Sequence, residues 1–131
     1  MASAIYPKAK ERFLKAEINL NTDTIKAALI DLADYSYSAS HEFLSSASSA
    51  IVGTPVTLTS KTFTNGVFDA ADATFATVTG DQSEACIIFK DTGDPATSPV
   101  IAFIDSGSGL PITPNGSNIT GTWNASGIFA L

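Results

Sequence analysis

The segment from Glu84 to Asp105, EACIIFKDTGDPATSPVIAFID, constrains the fold more than any other part of the chain. Two apolar runs, Cys86 to Phe89 and Val100 to Ile104, flank a turn made of Asp, Thr, Gly, Pro and Ser. Those turn residues suit tight backbone angles and local side-chain capping. Each run is too short for a helix and rich in β-branched and aromatic side chains, which predicts strands. Apolar residues occupy odd and even positions alike, so neither strand has a polar face. Such strands must be covered on both sides, inside a two-layer fold or under a partner subunit. A β-hairpin is therefore expected at the centre of the molecule.

Further strands are legible on either side. Thr24 to Leu32 reads as a buried strand, and Ile51 to Thr59 as a kinked or edge strand, because Pro55 cannot donate to a central ladder. Asn65-Gly66 inside KTFTNGVF is the strongest two-residue hairpin signal in the chain. Short strands are also expected at Ala73 to Val78, Asn118 to Trp123 and Gly127 to Leu131. In the Ser-rich loop between them, Ser40 followed by HEFL suggests one short helical turn. Ahead of all this, Pro7 stands at a suitable first helical position before KAKERFLKAE. Tyr6, Phe13 and Leu14 are its expected apolar stripe, with Lys8, Lys10, Arg12 and Lys15 outside. The expectation is a mainly β protein: one antiparallel sandwich or barrel-like, jelly-roll-like domain over residues 1–131, with an N-terminal helical arm over about residues 1–16.

Composition narrows the function. Charged residues make up only 15% of the chain, against about a quarter in an ordinary soluble domain. Ser, Thr, Asn, Gly and Ala take their place, as in β-proteins that cover their surface by assembly. The net charge of −6 argues against nucleic acid, which needs a Lys/Arg footprint. No apolar run reaches membrane-spanning length, and the first residues lack the apolar core of a signal peptide. Cys86 is the single cysteine and sits within an apolar strand, so it reads as a small buried hydrophobe. No disulfide framework and no Cys/His zinc set can form.

Few motifs suggest chemistry. Asp91-Thr92-Gly93 and Asp105-Ser106-Gly107 each follow an apolar strand, as the triplets of aspartic proteases do. Two carboxylates must share a proton for that chemistry. Hairpin pairing of the two runs would instead hold these residues roughly 20 Å apart, at about 3.3 Å per residue. His41 is the only histidine, and no motif places a nucleophile beside it. Asp69, Asp72 and Asp81 offer oxygen ligands for Ca²⁺ in an unspecific spacing and read as turn carboxylates. Asn115, Asn118 and Asn124 begin glycosylation sequons that read as turn residues without a secretory signal. Trp123 with Phe129, or with Tyr35 and Tyr37, could form a sugar-stacking platform, although a lone Trp on a strand is usually core. No catalytic, cofactor or metal residues are expected.

Two groups of segments resemble a known family. The run Phe13 to Tyr37, FLKAEINLNTDTIKAALIDLADYSY, is followed by Asn65-Gly66-Val67-Phe68-Asp69-Ala70, Phe89-Lys90-Asp91-Thr92-Gly93 and Leu110-Pro111-Ile112-Thr113-Pro114-Asn115-Gly116. Together they resemble the small virion structural proteins of tailed bacteriophages, over nearly the whole chain from Phe13 onward. The resemblance implies a non-enzymatic assembly protein, made in the host cytoplasm and carried on the virion. A decoration (cement) protein on the head surface fits best, bound to the major capsid protein as a homo-oligomer, with a trimer favoured. A neck, tail or baseplate component is the alternative, and a carbohydrate-binding module for host adsorption a further one. Lys8, Lys10, Arg12 and Lys15 are then the expected contacts to an acidic partner surface.

Overall fold

In the computed structural model, residues 4–105, 110–123 and 126–131 are described. The centre is the hairpin anticipated above: strand β7 (Ala85–Lys90) pairs antiparallel with β8 (Val100–Ile104), Ile87 opposite Phe103. Every residue from Ala85 to Phe89 and from Val100 to Phe103 is buried. Both strands are thus covered on both faces, as their unbroken apolar runs require.

Around this hairpin lies a five-stranded antiparallel sheet in the order β1-β8-β7-β2-β3, where β1 is Ala4–Ile5, β2 is Ile25–Ile30 and β3 is Ile51–Thr57. Large and small side chains alternate across it: Ile88 lies opposite Ala27 on one side and Ala102 on the other. Pro55 stands on the outer strand β3, where its missing N–H costs no ladder bond. The β2–β3 register slips around Gly53, Thr54 and Pro55, and Gly53 takes a positive φ of 73°. A side chain at Gly53 would also crowd Val78, at 3.2 Å from its Cγ1.

Two smaller antiparallel sheets complete the β structure. β4 (Thr62–Thr64), β5 (Val67–Asp69) and β10 (Phe129–Ala130) form one in the order β10-β5-β4. β6 (Ala73–Phe75) and β9 (Ile119–Gly121) form the other. Asn65 and Gly66 both take positive φ, 53° and 78°, the turn that matches the twist of a two-residue hairpin. The fold class read from the sequence, mainly β with antiparallel strands and one short helix, is the one observed.

The N-terminal segment differs from the arm expected. Helix α1 (Pro7–Leu14) packs on β8, and β1 just ahead of it adds to the edge of the same sheet. Tyr6, between the two, is fully buried and donates its backbone N–H to Ile101. The pairing of β1 fixes which way the helix faces. It turns Ala9 inward and leaves Leu14 88% exposed, so Leu14 does not belong to the apolar stripe. The helical turn expected near Ser40 lies further on, as two short 3-10 turns at Leu44–Ser46 and Ser48–Ala50. Ser40 instead bonds Ser38 through their side-chain hydroxyls.

Candidate functional site

Among the described residues, the catalytic arrangements considered from sequence are not assembled. Asp91 follows β7 at the turn end of the hairpin, while Asp105 follows β8 at the opposite end. Ser106 and Gly107 of the second triplet lie outside the described residues. Asp91 accepts an ion-paired hydrogen bond from Lys26 at 2.8 Å and a bond from the Gly93 N–H at 3.0 Å. Lys26 first, and then Gly93, hold the Asp91 carboxyl below the usual range. A carboxyl depressed on folding contributes stability above its unfolded pKa of about 3.9 and loses it as pH falls through the folded value. Asp91→Asn is therefore expected to cost about 1 kcal/mol or less at pH 7, as a part-exposed pair does. The gap to the wild type should close below about pH 4, as urea midpoints against pH would show.

The remaining titratable candidates are absorbed by the fold. The Cys86 thiol is buried in β7, and burial pushes its pKa up to about 12, far from a reactive thiolate. His41 Nδ1 lies 2.8 Å from the Tyr35 hydroxyl, which in turn lies 2.7 Å from that of Tyr6. Burial raises the pKa of both tyrosines, and the chain of bonds ties the loop after β2 to the N-terminal segment. Tyr35 is buried and Tyr37 rests on Tyr6 and Phe103, so Tyr35 offers no open ring to a sugar. Trp123 packs against the core and donates its Nε1–H to the carbonyl of Ala71. Of the three sequons, Asn124 lies outside the described residues. Asn115 accepts from the Ser117 N–H within its own turn, whereas Asn118 accepts from the Thr77 N–H, 41 positions away.

The acids considered for Ca²⁺ are not the ones brought together. Asp81 groups with Asp31 and Asp34, their ligand atoms within 4.8 Å of one another, while Asp69 and Asp72 stand outside the group. Asp31 is buried and accepts from the Ala33 N–H, so part of its capacity serves the turn after β2.

The basic residues fall into two kinds. Arg12 is anchored in its own chain, paired with Glu42 at 2.7 Å and Glu17 at 3.2 Å, its guanidinium 5.2 Å from the centre of the Phe43 ring. Lys8 pairs with Glu11 and Lys15 with Glu17 on the helix surface. Among the described residues, Lys10 is the one Lys or Arg whose side chain makes no ion pair or hydrogen bond.

Lys10 stands at a groove of about 590 Å³. Its other walls are apolar: Ala4–Ile5 of β1, residues 102–104 of β8, and residues 128–131 around β10. Two sheet edges meet there. In antiparallel ladders, successive residues point their N–H and C=O alternately to the two sides. Tyr6 bonds inward to Ile101, so Ile5, one residue earlier, turns its backbone groups to the open edge. Leu131 bonds inward to Gly66, so Ala130 does the same on the outer side of β10. Sequence reasoning missed this groove, because it needs the first and last strands side by side. A second depression, of about 460 Å³ near Pro55 and Pro95, includes the Lys26–Asp91 pair, whose charges answer each other.

No protein-family model matches the sequence, and no match is found among curated proteins.

Proposed function

We propose that the chain is a structural protein of a tailed-bacteriophage virion, most directly a decoration protein on the assembled head. The observation that carries this reading is how the chain uses its chemistry. Buried polar groups serve turns and ladders, as Asp31 does for the Ala33 N–H and the Ser83 hydroxyl for the Ile30 carbonyl, while the surface keeps an apolar groove bounded by open backbone edges among the described residues. Such a surface suits an assembly protein. The family resemblance supplies the context, with the major capsid protein as partner and a homo-oligomer as the working form. A ligand that binds only the expanded shell stabilises that shell by mass action, without any reaction.

Lys8, Lys10 and Lys15 are the basic side chains available to an acidic shell surface, and Arg12 contributes by holding the loop at Glu42. Deleting residues 1–16 would not isolate these contacts, because it would also remove Tyr6 and Ala9 from the core. Copy number is the better one. Quantitative mass spectrometry of purified virions should give a ratio to the major capsid protein near one. A ratio of a few per cent would move the chain to the neck, tail or baseplate. Absence from the virion would overturn the structural reading.

A further inference from the structure

We propose that the groove between β1 and β10 receives strand β4 from a second copy of this chain, joining copies head to tail. β4 has the features of a donor strand. All three of its residues are exposed, and it is the outer strand of its sheet, with neither proline nor lysine to blunt it. Asn65 and Gly66 close a two-residue turn, so Thr64 and Val67 exchange bonds and Phe63 points its N–H and C=O outward. Phe63 is also one of the few large apolar side chains left open, 47% exposed while stacked on Phe68.

The groove is the matching acceptor. The outward amide of Ala130 gives the outward N–H and C=O of Phe63 their hydrogen-bond partners, with Ile5 on the facing wall of the groove. Opposed to Ala130, the Phe63 ring of the incoming copy would lie over that small side chain and the nearby Ile128, both of which line the groove. Charge agrees with this docking. The Lys10 side chain at the groove has no partner among the described residues, while β4 arrives with Asp69 across from Thr62 and Asp72 close behind. The one base beside β4, Lys61, is already bonded to the Asp23 carbonyl.

β4 and β10 are opposite edges of one sheet, so the junction makes a single sheet run from copy to copy. The contact is heterologous, one surface meeting a different one, and such contacts close into rings when the rotation permits. This goes beyond head binding and stands apart from it, since virion copy number decides one and the mass of the purified chain decides the other.

Light scattering and sedimentation velocity on the full chain test it, using Phe63→Pro and Ala130→Pro. Each substitution removes an outward N–H, at a position where edge strands accept proline, and Phe63→Pro also removes the docking ring stacked on Phe68. Phe63→Lys and Ala130→Lys replace them if circular dichroism shows a lost fold. The wild type should have a multiple of the 13.6 kDa chain mass, and each variant alone the mass of one chain. An equimolar mixture of the two variants should give a dimer, because one intact β4 and one intact groove remain. A monomeric wild type, an oligomer that survives either substitution, or a mixture that stays monomeric would each overturn the proposal.

Discussion

Ile88→Ala should lower stability by about 2–5 kcal/mol, the range for emptying a fully enclosed aliphatic site. Ile88 has no exposed surface and sits in β7, the middle strand of the five-stranded sheet. Its cross-strand neighbours are Ala27 and Ala102, so the substitution places three alanines in a row. Neither neighbour has a long side chain that can swing into the space, which argues for the upper part of that range. Ile88→Val removes one methylene and should cost about 0.5–1.5 kcal/mol. Urea unfolding checks both, as a midpoint shift with an unchanged slope. A loss below about 1 kcal/mol for Ile88→Ala would mean that the sheet is not covered on both sides there.

The second large effect is expected at a polar residue. Ser83 is fully buried just before β7, and its hydroxyl oxygen accepts from the Ile30 N–H at 3.0 Å. The same hydroxyl lies 3.1 Å from the Ile30 carbonyl and 3.0 Å from that of Ala85, to either of which it donates. The backbone of Ser83 exchanges two further bonds with Ile112. One side chain thus finishes the β2–β7 ladder and lies where a late segment of the chain is fastened. Ser83→Ala should cost about 1–3 kcal/mol, because the backbone groups it served stay in a dry site short of a partner. Thermal melts of the variant and of Ser83→Thr, which keeps the hydroxyl, check this. If both fell equally, fit rather than hydrogen bonding would set the cost.

What could be read in the sequence depended on how local its cause was. The runs at Cys86–Phe89 and Val100–Phe103 have no polar alternation, so burial on both faces followed from the pattern alone. Asn65-Gly66 and Pro55 act through their own backbone angles and missing donor, and both stand where they were expected. Ser83 carries no local signal of its role, since its partners at Ile30 are 53 positions away. Leu14 looked inward-facing because helical spacing permits it, yet the orientation of α1 is set by β1 pairing with β8. The basic cluster was legible as a cluster only. That Arg12 is held by Glu42 while Lys10 is left over depends on how the loop after β2 returns to the helix.

The bulge at Gly53–Pro55 has a consequence for the number of neighbours a molecule can hold. It spoils the outer edge of β3, through a slipped register and a proline with no N–H to offer. With β3 stoppered, the edges left among the described residues are the groove edges, β4 and those of the short β6–β9 pair. The exchange proposed above uses one acceptor and one donor per molecule, a valence of two. Units of valence two form rings or single files; a third adhesive edge would allow branching and, at the density of a crowded surface, a gel.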